Sequence, residues 1–329
     1  MAISNSYSPT VGRVRTGQGS AIGNREHLDN QLTMLEPEDA PVLSLASKFK
    51  VNASRYEWPV DKLLTPNTDG VFENQDVDNY ANMFEKRAML GNYIQKFQQG
   101  FGVSDLQEAV SSVGPAGYIQ AQALAIRAMK RNIEATICSN NDWSVENGAD
   151  TPYKMRGLGK WTDPAGASDI PADYRIPTSS VLTSGFGESS FNALLGSIYS
   201  VSGEMGDLTL VANVALRRAV SDFARSDAGA TRTAYNVNQD ATSKKITLSV
   251  SIFESDFGTV RVVNGNPVCM PTGTTNFGYL INPKHLGVGS LMPLTVKEGE
   301  DKGAGRRGYI KTAVTLQCKA PAAFGKIAF

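Results

Sequence analysis

One stretch constrains the fold more than any other: GPAGYIQAQALAIRAMKRNIEATICSN, from Gly114 to Asn140. Pro115 suits a first helical position, where its missing N–H would have had no partner. Ile119, Ala123, Ile126, Met129, Ile133 and Ile137 then recur at three and four residues, which predicts one apolar stripe. Gln120, Arg127, Arg131 and Glu134 fall on the opposite face, where Lys130 and Glu134 stand one turn apart as an ion pair. Interior alanines keep the helix propensity high. A helix over this span would be roughly 36 Å long, well beyond the mean globular helix. It is either the central core helix of an α+β domain or the spine of a building block, and the flanking sequence decides between them.

A chain of 329 residues can bury a large core. Lys and Arg balance Asp and Glu at 32 each. A protein built mainly to grip phosphate backbones would carry a basic excess, and this one does not. Cys138, Cys269 and Cys318 form no spacing motif, and their odd number argues against a disulfide framework. The chain suits a reducing cytoplasm. No apolar run approaches the length of a membrane span, and the N-terminus has no signal-peptide pattern. Only His27 and His285 could supply imidazole chemistry.

Residues 1 to about 32 are rich in Ser, Thr, Gly, Asn and Arg without periodicity, and read as a mobile arm able to order on a partner. Ser54 to Val60 reads as a short strand, and TPNTDG supplies a turn cluster. Polar sequence follows to about Arg87, and Tyr93 to Val103 alternates like a strand. The segment 54–97 is therefore a long excursion with two strand-like legs and a polar tip. Ser104 and Gln107 form a capping pair for a short helix. Residues 141–187 are rich in Gly, Pro and Asp and read as mostly loop. Beyond Glu188 the pattern is α/β: helices over Ser189–Gly203 and Val214–Arg225, and strands at Asp207–Asn213, Lys245–Phe253, Gly258–Val263 and Phe277–Asn282. Three more strand-like runs follow Leu291.

Catalytic motifs are few. Gly303, Gly305 and Gly308 satisfy G-x-G-x-x-G, but they lead into a strand-like run, which reads as a hairpin loop and not a phosphate cradle. No P-loop, HExxH pair, nucleophile elbow or EF-hand loop occurs. Asp61, Asp76 and Asp78 read as solvated turn residues, and His285 as a loop histidine. The sequon Asn52-Ala53-Ser54 has no secretory context. Arg127, Lys130 and Arg131 form a basic patch that is either a solvated face or turned towards nucleic acid. No catalytic, metal-binding or cofactor-binding residue is assigned, and the chain is read as a non-enzyme.

The order of polar arm, long excursion, long helix, α/β insertion and return strands resembles the major capsid protein fold of tailed phages, the Hong Kong 97 type. EPEDAPVLSLASK with RYEWPVDKL (Glu36 to Leu63), NYIQKFQQGFGVSDLQEAV (Asn92 to Val110), IFESDFGTVRVV (Ile252 to Val263) and TLQCKAPAAFGKI (Thr315 to Ile327) carry the resemblance. It spans almost the whole chain from about residue 33. It is weakest over 141–187 and in the first 30 residues.

The resemblance implies an α+β fold with an N-terminal arm (1–53), an extended loop lying on a neighbouring subunit (54–97) and a peripheral domain (98–187) holding the spine helix 114–140. An axial domain (188–292) and return strands of the peripheral domain (293–329) complete it. It implies a structural subunit of the icosahedral head enclosing double-stranded DNA, located in the virion and assembled in the host cytoplasm. Arg55, Tyr56, Trp58, Lys62 and Phe97 become candidates for subunit contact, and Arg127, Lys130 and Arg131 for the lumen. The partners are other copies in pentamers and hexamers, a separate scaffolding protein, a portal, in some cases a cement protein, and DNA through weak non-specific contact; no membrane and no cofactor is implied. Some relatives crosslink a lysine of this loop to a neighbour's asparagine; Lys62 is the nearest lysine here, but no asparagine or acid matches. The scaffold is expected to be separate because only about 50 residues, without sustained heptads, precede the loop. Encapsulin containers share the fold, and a hydrolase with an unrecognised site is the reading from another class.

Overall fold

The computed structural model describes residues 40–329 apart from 79, 111–115, 167–168, 204–206, 223–238, 241–244, 247–250, 272–275, 301–302 and 304. Residues 1–39 of the arm expected over 1–53, and the helix-starting Pro115, lie outside the described residues, while residues 40–53 of that arm carry the first helix and the first strand. In chain order the elements are helix α1 (Pro41–Leu45) and strands β1 (Ser47–Lys50), β2 (Arg55–Val60), β3 (Ala88–Tyr93) and β4 (Gln95–Val103). Helices α2 (Asp105–Ala109), α3 (Tyr118–Cys138) and α4 (Leu158–Trp161) follow, then β5 (Val181–Leu182), α5 (Glu188–Ser202), β6 (Leu208–Ala212) and α6 (Val214–Asp222). The remainder comprises β7 (Gln239–Asp240), β8 (Lys245–Ile246), β9 (Ile252–Ser255), β10 (Gly258–Asn264), β11 (Phe277–Ile281), β12 (Leu286–Glu298), β13 (Arg306–Cys318) and β14 (Gly325–Ala328).

Helix α3 is the predicted rod, with extended residues Gly117 and Ser139 at its ends. It buries Tyr118, Ala125, Met129, Ile133, Glu134, Ile137 and Cys138. The expected stripe is thus rotated in the first turns: Ile119 is 82 % exposed, and Ile126 is only half-buried. Tyr118 takes the inward place because its ring packs 5.2 Å from Phe101 and lies 4.5 Å under the Arg306 guanidinium. We expect Met129→Ala to cost about 2–5 kcal/mol of stability, and Ile119→Ala less than about 0.5, in urea denaturation. Equal losses would contradict this rotation.

Glu134 is a second correction. It is buried and not paired with Lys130 on an outer face. Its carboxylate accepts the N–H groups of Val42 and Leu43, each at 2.9 Å. Helix α1 begins at Ala40, whose side chain cannot cap, so Glu134 supplies the missing acceptor from another helix. Burial pushes the Glu134 carboxyl above its ordinary pKa, and the two backbone donors only partly offset it.

Two sheets flank α3. The four-stranded sheet has the order β1-β12-β13-β4, with β1 parallel to β12 and the other pairs antiparallel. Its inner face places Phe97, Ile310, Val314 and Leu316 in one core with Met129, Ile133 and Ile137. The six-stranded sheet has the order β5-β14-β11-β6-β10-β9. Val211, Tyr279 and Ile281 face the α3 core, while Leu210, Ala212 and Leu280 face a second core with Phe191, Leu195 and Leu216 from α5 and α6. Burial on both faces explains why LTLVA and FGYLI read as unbroken apolar runs. The Tyr279 hydroxyl donates to the Cys138 carbonyl at 2.8 Å, tying this sheet to the end of α3.

The expected helices over 189–203 and 214–225 correspond to α5 and α6, and Gln107 N–H donates to the Ser104 hydroxyl as expected. Of the strand expected over Lys245–Phe253, residues 247–250 lie outside the described residues. The strand expected at Tyr93–Val103 splits at Ile94: Ala88–Tyr93 is the return leg of the excursion, and Gln95–Val103 belongs to the four-stranded sheet. A boundary at residue 292 would cut β12, which begins at Leu286. The last strand, β14, pairs with β11 and β5 in the six-stranded sheet, not with the return strand β13. The stretch 141–187 is largely without strands, yet it buries Met155, Leu158, Trp161, Ile170 and Ile176. Gly303 and Gly305 have positive φ between β12 and β13, and Gly308 lies within β13 where a Cβ would meet the Tyr118 hydroxyl at 2.5 Å. The three glycines therefore serve a hairpin.

Candidate assembly surface

Strands β2 and β3 pair antiparallel from Arg55 opposite Tyr93 to Val60 opposite Ala88. Alternation sends Tyr56 and Trp58 inward and Arg55 and Glu57 outward, where the last two form an ion pair at 2.7 Å. Trp58 is 5 % exposed and packs between Tyr56 and Trp161, with ring centroids 5.7 and 5.8 Å away. Asn92 is fully buried. Its carbonyl oxygen accepts from Arg156 N–H at 2.8 Å, and its amide donates to the Leu316 carbonyl at 2.8 Å. The base of the excursion is therefore fastened into the subunit's own core.

Arg156 anchors the same region from beneath. Its side chain is 1 % exposed; Nε donates to Asp142 at 2.7 Å and Nη2 to Asp169 at 2.8 Å. Its guanidinium lies 4.9 Å from the Trp161 ring. Burial disfavours ionisation of Asp169, but the hydrogen bond and charge of Arg156, with the Trp143 indole N–H, outweigh it and hold the carboxyl below its ordinary pKa.

Beyond the paired legs, the described residues of 61–87 form neither helix nor strand. The sequence suggests a polar tip, but the structure exposes Val71, Phe72, Val77, Tyr80, Met83 and Phe84 there, with Phe72 and Tyr80 at 80 % and 85 %. So much apolar surface in one projecting segment marks an interaction site. A clasp closes its base: Arg87 bonds Asp61 at 2.9 Å, Lys86 bonds Asp173 at 3.1 Å, and the Tyr174 hydroxyl donates to the Lys86 carbonyl. The hydrogen bond and charge of Asp173 raise the Lys86 pKa. Beside the clasp lies a cleft of about 580 Å³ lined by Asp61, Lys62, Tyr174, His285 and Lys319.

Of the expected contact residues, Arg55 and Lys62 are exposed, and Tyr56 is half-buried. Trp58 and Phe97, at 5 % and 8 % exposed, are corrections: both fill the core and offer no surface to a neighbour. Phe97 also lies in β4, apart from the hairpin. Arg127 and Lys130 are exposed and Arg131 half-buried on one side of α3. Sequence reasoning missed Phe72, Tyr80 and Phe84, whose signal is aromatic residues recurring within an acidic run. Among the described residues no cluster of His, Cys, Asp and Glu could hold a metal ion, and no helix is long and apolar enough to cross a membrane.

The family model of the SU10 major capsid protein matches residues 14–329. No curated protein matches the chain. Among solved structures, a protein of Gordonia phage Cozz superposes with a TM-score of 0.61 at 14 % identity, covering 98 % of both chains. A structure described as the capsid of an empty GTA particle gives 0.61 at 14 % identity, covering 93 % of this chain and 95 % of that one. The mature capsid of bacteriophage PhiM1 gives 0.55 at 10 % identity, with 98 % of each chain covered. At these identities the structures establish a shared fold.

Proposed function

We infer the function from one premise: this chain belongs to the SU10 major capsid protein family. It is a structural protein, the major capsid subunit that self-assembles into the icosahedral head of a tailed phage. The match over residues 14–329 carries this reading, and the two capsid structures that superpose along nearly the whole chain support it.

The finer reading follows from the same premise. Copies meet as pentamers and hexamers, and the hairpin of 54–97 reaches across a neighbour. The helix α3 forms the spine of a peripheral domain, and the six-stranded sheet with α5 and α6 forms the body of an axial domain. Arg127, Lys130 and Arg131 face the lumen, where a near-neutral subunit holds packaged DNA weakly enough to permit its entry and release. Scaffolding, portal and cement proteins are its partners, the host cytoplasm is where it assembles, and it performs no catalysis. The exposed apolar tip supports the hairpin's role, because a shell needs many modest contacts that can reverse during assembly. Negative-stain electron microscopy of the protein expressed with its neighbouring genes should show closed shells or capsomers. A compact monomer alone, with scaffold supplied, would refute the reading.

A further inference from the structure

The four-stranded sheet has a second face that α3 does not cover. Cross-strand pairing places Lys96 beside Ala313, Lys311 between Gln98 and Thr295, Tyr309 between Gly100 and Lys297, and Arg307 beside Gly102. These share one face because the alternating residues Phe97, Ile310 and Val314 point into the α3 core. Lys96, Lys297 and Arg307 are exposed, and Lys311 is half-buried. None of these four cations forms an ion pair among the described residues. Strands β4, β12 and β13 contain a single carboxylate, Glu298, which lies on the other face and bonds Arg306 at 3.0 Å. Gly100, the cross-strand partner of Tyr309, leaves open space above the sheet.

The hairpin tip has the opposite character. Residues 63–85 contain Asp69, Glu73, Asp76, Asp78 and Glu85 but no Lys or Arg. Phe72, Tyr80 and Phe84 are exposed among them. The chain is neutral as a whole, so its negative run and its positive sheet face form a matched pair carried by one sequence.

We propose that this basic sheet face receives the acidic, aromatic hairpin tip of a second copy of the chain. The inference rests on the reading of the protein as a self-assembling shell subunit and names the surface on which its hairpin lands. The carboxylates meet Lys96, Lys297, Arg307 and Lys311, and an aromatic ring fills the trough over Gly100 against Tyr309. Such charge matching fixes register and rejects wrong docking.

The test uses the full chain with reversed charges. One variant carries Lys96→Glu with Lys311→Glu, a second Asp76→Lys with Asp78→Lys, and a third all four changes. Each side reversed alone should lower shell yield by about tenfold or more, because like charges then meet across the contact. The four-change variant should recover shells, which a merely structural effect would not produce. Shells at normal yield and normal salt dependence from both one-sided variants would overturn the proposal. So would a sheet-side loss that the tip-side change fails to rescue and that removes co-purifying nucleic acid, since the face would then serve phosphates. If the reversals do not fold, Lys96→Gln with Lys311→Gln should flatten the salt dependence of assembly, and an unchanged dependence would overturn the proposal. Failure of the unaltered chain to assemble would instead count against the capsid reading itself.

Discussion

Arg156→Met should destabilise the subunit by about 3 kcal/mol, a large share of the 5–15 kcal/mol that holds an ordinary domain together. The guanidinium is 1 % exposed and joins Asp142 and Asp169 while stacking on Trp161. Methionine fills part of its volume but cannot bond either carboxylate. Removing one partner of a buried ion pair costs about 3–5 kcal/mol, and the lower end applies here for two reasons. The side chains of Asp142 and Asp169 are 45 % and 40 % exposed, so each can return to water. Nη1 is also buried without a partner, so part of the burial cost of the wild type disappears with it. The pH dependence follows from the depressed Asp169 pKa. A carboxyl with a lowered folded-state pKa contributes stability above its unfolded value of about 3.9 and loses it as pH falls through the folded value. The gap between wild type and variant should therefore narrow below about pH 4. Urea denaturation at pH 7 and pH 3.5 measures it; coincident midpoints at pH 7 would show that the node carries no stability.

Elements with simple periodicity were legible in the sequence. The spacing of Phe191, Leu194, Leu195 and Ile198 gives α5, and the alternation around Ser255-Asp256 gives the β9–β10 hairpin. What escaped depends on contacts between distant segments. Glu134 looks like an outer-face residue until Ala40, 94 positions earlier by subtraction, starts a helix with no cap of its own. Arg156 sits in a Gly-, Pro- and Asp-rich stretch that resembles loop, yet its partners Asp142 and Asp169 are held by tertiary packing and not by any period. The excursion was visible as a whole, but its return leg was not, because β3 and β4 are separated only by Ile94. The tip looked polar because its carboxylates obscure the aromatic residues set among them.

Replacing Asp61–Arg87 by a short Gly/Ser turn should leave a folded subunit that no longer closes into shells. Val60 and Ala88 are directly paired at the end of the ladder, so a turn of a few residues can join them without disturbing the legs. The changes lost inside the subunit are small. The Arg87–Asp61 and Lys86–Asp173 ion pairs are solvent-exposed and add little stability, and the clasp bond removed with them is that of the Tyr174 hydroxyl to the Lys86 carbonyl. Trp58, Leu90 and Asn92 remain, and with them the bonds from Asn92 to Arg156 and Leu316. A longer cut, from Arg55 to Lys96, has a different outcome. It removes Trp58, Leu90 and Asn92 and the start of β4, which pairs with β13. Losing one buried tryptophan or leucine costs about 2–5 kcal/mol, so the longer cut exceeds the stability of a typical domain and unfolds the chain. Thermal melting by circular dichroism should separate the two variants, and sedimentation with electron microscopy should show whether the shorter one assembles. If the shorter variant unfolds, the tip belongs to the core after all. If it closes normal shells, residues 61–87 are dispensable, and subunits cohere through other surfaces.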